Sequence, residues 1–401
     1  MAIQEAEVIN KEKTFILQTY KRLPIVLVKG KAQYVWDINN KKYIDFSGGL
    51  AVCNLGYSPK EVIEALHSQA ETLIHTSNLY YTIPQVELAE RLISLTFKKG
   101  KVFFCNSGTE ANEAAIKLAK NYKKQKKIIS MMNSFHGRTL GALSITGQDI
   151  YKKGLEPLIE GIEFVKLNDI QAIERIIDSA SCVIIELIQA EGGIYQADKT
   201  YIKKLRKLCD EHKVLLIIDE VQTGIGRCGS LFLYEKYEII PDIITLGKGL
   251  GSGVPIGAMV VKEEFADFLT YPLHASTFGG NPLACQVAIA TLDLLIKENI
   301  PKRVDELSKY FKSCLTRLKQ VFPEIIKDIR GEGFLLGLEL YDKNIAEFLV
   351  KEALNYGFIL NRIKENIIRF IPPLIIEKKD IDDLIKYLNK FLKEKLKYSF
   401  K

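Results

Sequence analysis

DIITLGKGLG, residues Asp242 to Gly251, is an apolar run that stops at a glycine and presents a single lysine, Lys248. Ile243 to Leu246 read as a buried strand. A lysine just past such a strand is either an ordinary turn residue or an amine held by backbone at a pocket floor. In the second case partial desolvation makes it ionise less readily and turns it into a nucleophile. Three other segments end in the same way. Asp219-Glu220-Val221-Gln222 closes the run Val214 to Ile218, and Glu186 closes Val183 to Ile185. Asn106-Ser107-Gly108-Thr109-Glu110 closes Val102 to Cys105 and opens a helix. Polar, chemically useful residues thus stand at the carboxyl ends of four candidate strands, where open parallel sheets place their ligands.

The rhythm around these segments gives the fold class. Tyr34 to Asp37 and Lys41 to Phe46 flank an Asn39-Asn40 turn and fit two short strands. Val86 to Leu95 and Glu110 to Tyr122 carry apolar residues at helical spacing. Ile128 to Ser130 and Met259 to Val261 are further candidate strands, and Lys199 to His212 is a helix between two of the others. Strand–helix alternation of this kind predicts an α/β fold with a large, mainly parallel central sheet flanked by helices. After Asn281-Pro282 the pattern becomes a long helical stretch, Leu283 to Phe322. It continues with Gly333 to Leu340, a helix over Ile345 to Tyr356, the pair Phe358 to Asn361 and Ile367 to Phe370, and a last helix, Lys379 to Leu396, with a basic tail. This is expected to be a smaller α+β domain. The division predicted is residues 1–45 as an N-terminal segment joining the small domain, 46–285 as the large cofactor-binding domain, and 286–401 as the small domain.

Bulk properties narrow the partners. At 401 residues the chain has ample length for two domains, and its net charge of +7 is spread over many lysines. The densest cluster, Lys123-Lys124-Gln125-Lys126-Lys127, lacks interleaved aromatics and reads as a solvated helix end, so no nucleic-acid partner is expected. The seven cysteines are scattered without metal-ligand spacing, which predicts no metal site and a reducing compartment. With acidic residues early, no apolar signal core and no stretch long enough to span a bilayer, the expectation is a cytoplasmic protein without a membrane partner.

The pieces at the strand ends suggest one chemistry. Ser107-Gly108-Thr109 sits where free backbone N–H groups and a helix dipole favour a phosphate, or it is a plain N-cap with Glu110 in the first turn. Asp219 ends a fully apolar strand, where a carboxylate is expensive to desolvate unless it meets a cation or caps the next turn. A protonated pyridine nitrogen is such a cation, and a bond of that kind contributes roughly 1.5–3 kcal/mol. Gln222 can donate to a ring oxygen from the same turn. Phosphate cradle, buried carboxylate and nucleophilic lysine together describe a site for pyridoxal 5′-phosphate.

NSGTEANEAAIKLA from Asn106, SFHGRTLGALSITGQ from Ser134, IIDEVQTGIGRCG from Ile217, TLGKGLGSGVPIGAM from Thr245 and STFGGNPLAC from Ser276 carry a resemblance. The chain resembles the class III (ω-amino acid) aminotransferases of fold type I, and within them the branch acting on N-acetylornithine, from about Tyr20 to the end. The resemblance implies that Lys248 bonds the cofactor, Asp219 pairs with its ring nitrogen, Gln222 contacts the ring and Phe135 stacks on it. Ser107, Gly108 and Thr109 would hold the phosphate. Thr277 would reach the cofactor phosphate of a second subunit, which makes an active homodimer the expected assembly.

A transaminase of this kind seats two amino donors in one site. Glutamate carries a carboxylate beside its reacting carbon and another at its far end, whereas N-acetylornithine reacts at a terminal CH2–NH2. Arg138 suits the far carboxylate and Arg369 the near one. With N-acetylornithine bound, Arg369 would be buried and unpaired, a costly state. The resemblance gives Glu191 the part of a gate that pairs with Arg369, and Tyr20 that of a substrate contact. Two exposed arginines and a surface glutamate are the plainer alternative for these residues. The chain departs from the family pattern at Leu187, where proline is usual, and Ala190, where glycine is usual; Gly56-Tyr57-Ser58-Pro59 replaces a histidine-containing turn. The activity implied is transfer of the terminal amino group of N-acetylornithine to 2-oxoglutarate in arginine biosynthesis, with succinyl-diaminopimelate as a possible second substrate. The alternatives are an ornithine or other ω-amino acid aminotransferase and a non-catalytic binding module of the same fold.

Overall fold

A computed structural model describes residues 4–123 and 127–399. Its centre is a seven-stranded sheet. The strands lie in the order Gly100–Cys105, Gly257–Lys262, Ile243–Leu246, Leu215–Asp219, Ala180–Ile185, Lys127–Met131 and Ile162–Val165. The five from Ile243–Leu246 to Ile162–Val165 pair in parallel. Gly257–Lys262 is antiparallel to both of its neighbours, so Gly100–Cys105 runs with the majority again. The carboxyl ends of four strands, at Cys105, Ile185, Asp219 and Leu246, therefore meet at one edge of the sheet. The α/β architecture with a mainly parallel sheet is what the sequence predicts.

Every residue of Ala180–Ile185, Leu215–Asp219 and Ile243–Leu246 is buried, as strands covered on both faces must be. The helix Lys199–His212 shows how the cover forms. Tyr201, Ile202, Leu205 and Cys209 recur at helical spacing and are buried, with charged residues on the other face. Lys213 then ends the helix in the left-handed region at φ 53°.

Besides a two-stranded pairing of Ile188–Gln189 with Tyr195–Gln196, two four-stranded sheets lie outside the central one. Leu27–Lys31, Tyr34–Asp37 and Lys42–Asp45 form an antiparallel meander, and Phe358–Ile359 pairs in parallel with Lys42–Asp45. Gln33 Nε2 also donates to Asp380 Oδ2 at 2.7 Å, so the opening strands are fastened to the last part of the chain. The other sheet, Ile326–Glu332, Leu335–Leu340, Ile367–Phe370 and Asn361–Ile363, is antiparallel throughout. The expected boundary at 285/286 falls inside the helix Pro282–Lys297.

One expectation is corrected. The stretch from Leu283 to Phe322 is two helices, Pro282–Lys297 and Ile300–Val321, because Asn299 turns left-handed at φ 48° and Pro301 opens the second helix. Among the described residues no helix is long and apolar enough to cross a membrane. The lysine-rich positions 124–126, and residue 401 of the basic tail, lie outside the described residues.

Two buried charges fix the strand-end loops. Arg227 is fully buried, donating from Nη1 to the carbonyls of Phe334 at 3.1 Å and Pro372 at 2.5 Å, and from Nη2 to Asn54 Oδ1 at 2.6 Å. Burial pulls its pKa down to about 10. Glu220 is equally buried and accepts from the Tyr234 N–H at 2.8 Å and the Thr223 hydroxyl at 2.5 Å. Burial pushes its carboxyl up to about 7 in spite of these donors. A carboxyl raised in the folded state stabilises the fold below its unfolded pKa, and that contribution is lost as pH rises through about 7. Glu220→Gln should therefore match the parent protein near pH 4.5 and exceed it by roughly 3 kcal/mol above pH 7, read by urea unfolding of the cofactor-free protein across that window. A constant difference at every pH would show that Glu220 does not titrate with folding.

Candidate active site

The four strand ends open into a cavity of about 480 Å³. Ser107, Gly108, Thr109, Phe135, Arg138, Glu191, Asp219, Gln222 and Lys248 all line it. The structure thus gathers most of the expected residues in one place. Arg369 stands behind that lining, bonded to two of its members, Glu191 and Gln222. Tyr20 and Thr277 are not there: Tyr20 is exposed with Arg22 over its ring at 5.2 Å, and Thr277 lies in an exposed loop outside the cavity.

Lys248 is half-buried at the cavity floor with its backbone in the left-handed region at φ 43°, a strained setting for a residue with a side chain. The approach of the neighbouring backbone holds it there. A Cβ on Gly247 would stand 3.0 Å from the Gly108 nitrogen, and one on Gly108 would meet Val221 Cγ1 at 2.5 Å. The two glycines let the lysine turn and the helix start touch. Among the described residues the Lys248 amine has no hydrogen-bond or ion-pair partner. Desolvation lowers its pKa, with Arg369 adding to the effect and Glu191, Asp219 and Glu186 opposing it.

Asp219 is held by three N–H donors. Its Oδ2 accepts from Asn112 Nδ2 at 2.9 Å and His136 Nδ1 at 2.8 Å, and its Oδ1 from the Val221 N–H at 3.0 Å. Asn112 is itself oriented, because its Oδ1 accepts from the Thr245 hydroxyl at 2.8 Å and its Nδ2 also donates to the His136 carbonyl at 2.8 Å. Both lone pairs of Oδ2 are used, and Oδ1 keeps one for a cation in the cavity. Asn112 and His136 stand inside the quoted motifs, yet sequence reasoning assigned them no role. The signal was their place: one helical turn into a phosphate-cradle helix, and beside the aromatic Phe135.

Glu186 was noticed only as a strand end. Its Oε2 accepts the Phe135 N–H at 2.8 Å and its Oε1 the Ala190 N–H at 3.3 Å. Burial, reinforced by Asp219, pushes its carboxyl well above the usual range. The Phe135 ring meets Tyr151 edge-on at 5.8 Å, and the exposed Arg138 stacks on Tyr151 at 3.8 Å.

Ser107 caps the helix Gly108–Tyr122, accepting from the Glu110 N–H at 3.3 Å, while Glu110 Oε2 accepts the Asn106 N–H at 2.9 Å. The two readings of this motif are compatible. A capped helix still offers first-turn N–H groups that no helical carbonyl can accept, and here that turn lines the cavity.

Across the cavity Arg369, 1% exposed, donates from Nη1 to Glu191 Oε1 at 2.5 Å and Gln222 Oε1 at 3.1 Å, and from Nε to Asn361 Oδ1 at 2.9 Å. Burial raises the Glu191 carboxyl, but Arg369, Lys248 and Arg138 outweigh it and leave the group below its ordinary value.

The Aminotransferase class-III family profile matches residues 15–392. The chain belongs to the class-III aminotransferases. It is 49% identical to an acetylornithine aminotransferase of Caldanaerobacter subterraneus, over 96% of this chain and 99% of that one. Among solved structures, the acetylornithine aminotransferase of Elizabethkingia anophelis is 32% identical with a TM-score of 0.87, over 98% of this chain and 100% of that one. The ornithine aminotransferase of Toxoplasma gondii is also 32% identical, with a TM-score of 0.94, over 99% and 96% of the two chains. The protein is a pyridoxal-phosphate-dependent transferase.

The residues present fit that cofactor. The spare lone pair of Asp219 suits a protonated ring nitrogen, the helix start suits a phosphate, and an unpartnered, deprotonation-prone amine waits for an aldehyde. If Asp219 takes the part this geometry offers, a second carboxylate against Oδ2 should disturb it. Asn112→Asp should weaken cofactor retention by roughly tenfold or more, read by equilibrium dialysis, with unfolding of the cofactor-free protein as the control for folding. Parent-like retention in a folded variant would remove Asp219 from the ring-nitrogen assignment.

Proposed function

We propose that this aminotransferase moves the terminal amino group of N-acetylornithine to 2-oxoglutarate. The observation that carries the reading is the Arg369–Glu191 pair beside Lys248. Arg369 is buried on a strand with its guanidinium fixed by Asn361 and Gln222, so it cannot retreat from an empty carboxylate site. A substrate without a carboxylate at its reacting carbon needs a protein group to neutralise that arginine, and Glu191 does so. A substrate with one, glutamate, displaces Glu191 and takes its place. Arg138 is exposed at the other side and reaches the far carboxylate of either donor. The protein relatives named acetylornithine aminotransferase support the same substrate.

When bound, pyridoxal phosphate supplies an aldehyde for the amine and a ring that accepts the electron pair released at the reacting carbon. The chain's residues do the rest. Ser107, Gly108 and Thr109 would hold the phosphate, Phe135 would stack on the ring, Gln222 would contact its oxygen, and Asp219 would keep its nitrogen protonated. Lys248, with its lowered pKa, would take the proton from the reacting carbon and return it to the carbon on the far side of the amino nitrogen. Tyr20 and Thr277 are exposed on a single chain, and exposed apolar residues such as Leu79 and Tyr271 lie beside Thr277. Together they support a homodimer in which Thr277 completes the other subunit's phosphate site. Seven free cysteines, six of them buried, support a cytoplasmic location and a place in arginine biosynthesis follows from the substrate.

Lys248→Ala should leave a folded protein that binds cofactor without turning over; normal multiple turnover would sink the assignment. In the parent protein, the cofactor's visible band should convert on adding glutamate or N-acetylornithine and respond poorly to ornithine. A band that responds best to ornithine would move the protein to that neighbouring activity. Glu191→Gln should raise the preference for glutamate over N-acetylornithine by roughly tenfold or more, because Arg369 is then left to the substrate. An unchanged ratio of kcat/KM values would refute the gate.

A further inference from the structure

The Glu191 segment is gripped by a row of residues of which the activity so far described uses only Arg369. In the antiparallel sheet at the carboxyl-terminal part of the chain, Arg330 pairs with Gly337, and Gly337 pairs with Arg369. Directly paired residues of neighbouring antiparallel strands project from the same face. Two arginines therefore stand in one row, two strands apart, with a glycine between them.

The segment 190–195 lies over this row. Arg369 Nη1 reaches the Ala190 carbonyl at 3.4 Å and Glu191 Oε1 at 2.5 Å. Arg330 Nε donates to the Gly193 carbonyl at 2.7 Å, and its guanidinium stacks on the Tyr195 ring at 4.2 Å. Arg330 is held in turn by Glu339 Oε2 at 2.6 Å and Asp328 Oδ2 at 3.2 Å. Ile194, fully buried, fills the gap between the arginines: a Cβ on Gly337 would stand 3.0 Å from Ile194 Cδ1. Ile367, on the same face as Arg369, closes the other side of that seat. The segment is pinned from below as well, by the Ile194 N–H on the Gln189 carbonyl at 2.8 Å and the Ala190 N–H on Glu186.

We propose that Arg330, Gly337 and Ile194 are positioning residues that set the preference between the two amino donors. They hold the backbone of 190–195 still, so that the exchange at Arg369 is a rotation of the Glu191 side chain alone. This rests on the gate reading of Glu191 and deepens it. A side chain on a fixed backbone returns to its arginine with little loss of conformational entropy, so the closed pairing is strong enough for N-acetylornithine and still yields to a substrate carboxylate. On a loose loop the same glutamate would have to be ordered each time, and Arg369 would stand unpaired more often.

The test uses the cofactor-loaded protein with Arg330→Gln and, as a milder second variant, Gly337→Ala. Gln cannot span from Glu339 to Gly193 or stack on Tyr195; the alanine methyl presses on Ile194. Each variant is measured for kcat and KM with glutamate and with N-acetylornithine, beside Glu191→Gln. Hydrogen exchange of the peptide spanning 190–197 is followed in cofactor-free protein. The expected result is faster exchange there, and a ratio of kcat/KM for glutamate over N-acetylornithine that rises by roughly tenfold for Arg330→Gln, the size one charge-assisted hydrogen bond carries. A smaller rise in the same direction is expected for Gly337→Ala. Arg330→Lys, which keeps a donor for Gly193, should recover part of the parent ratio. If Glu191→Gln changes the ratio while both sheet variants leave it at the parent value, the clamp is wrong and the gate stands. If Glu191→Gln leaves the ratio unchanged, the gate itself fails, and faster exchange in the sheet variants would then report packing alone. Equal loss of kcat with both donors and no change in their ratio would also overturn the proposal.

Discussion

The structure is organised around one amine, unpaired among the described residues, whose pKa burial pulls down in a place crowded with charge. Lys248 shares its cavity with Asp219, Glu186, Glu191 and the exposed Arg138, and the buried Arg369 stands behind that lining. In such surroundings each unneutralised charge is costly, so the balance is kept group by group. Burial and the nearby Asp219 push the Glu186 carboxyl towards its neutral form. Glu191 is kept ionised by Arg369. Asp219 satisfies three of its acceptor positions within the protein. What is left over is the lysine amine, free to react, and one lone pair of Asp219, free to bind.

The fold serves this balance by supplying fixed dipoles instead of mobile water. The network Thr245–Asn112–Asp219–His136 crosses a strand, a helix, a second strand and the turn after a third, with each of these residues at most 4% exposed. Its members cannot rotate without breaking a bond to a different element. Arg227 does the same for the loop that follows Asp219, tying it to carbonyls of the carboxyl-terminal segment without a carboxylate partner. Preorganisation of this sort lets a site act on charge as it develops, since nothing has to turn first.

Much of this was legible in the sequence, for identifiable reasons. Buried parallel strands have unbroken apolar runs, and what ends such a run is conspicuous; Lys248, Asp219 and Ser107 were found in that way. The strand Ile162–Val165 was missed because Ile162-Glu163-Phe164 are each only half-buried at the sheet edge, which dilutes the apolar signal. The break at Asn299 was missed because the amphipathic pattern resumes at once, and a single left-handed residue leaves little trace in periodicity. Asn112, His136 and Glu186 escaped because supporting roles depend on contacts between distant segments. Asn112 and Asp219 are 107 positions apart, and no spacing rule links them. The row Arg330–Gly337–Arg369 is of the same kind: it exists only once the register of three strands is known.

The two arginines show why a shared site needs an asymmetric design. Arg138 is solvated and stacked on Tyr151, so leaving it without a carboxylate costs little; water and the ring face satisfy it. Arg369 is 1% exposed, and its partners are side chains that hold it in place. Strength and adaptability are thereby divided between them. In the proposed reaction the solvated arginine would tolerate donors that differ in length, because its interaction is weak and screened. The buried one would discriminate, because a substrate that fails to supply a carboxylate must be answered by the protein. The buried position therefore requires a counter-ion of its own, and among the described residues Arg369 has one where Arg138 does not: Glu191, on a segment anchored to the same sheet as the arginine it serves.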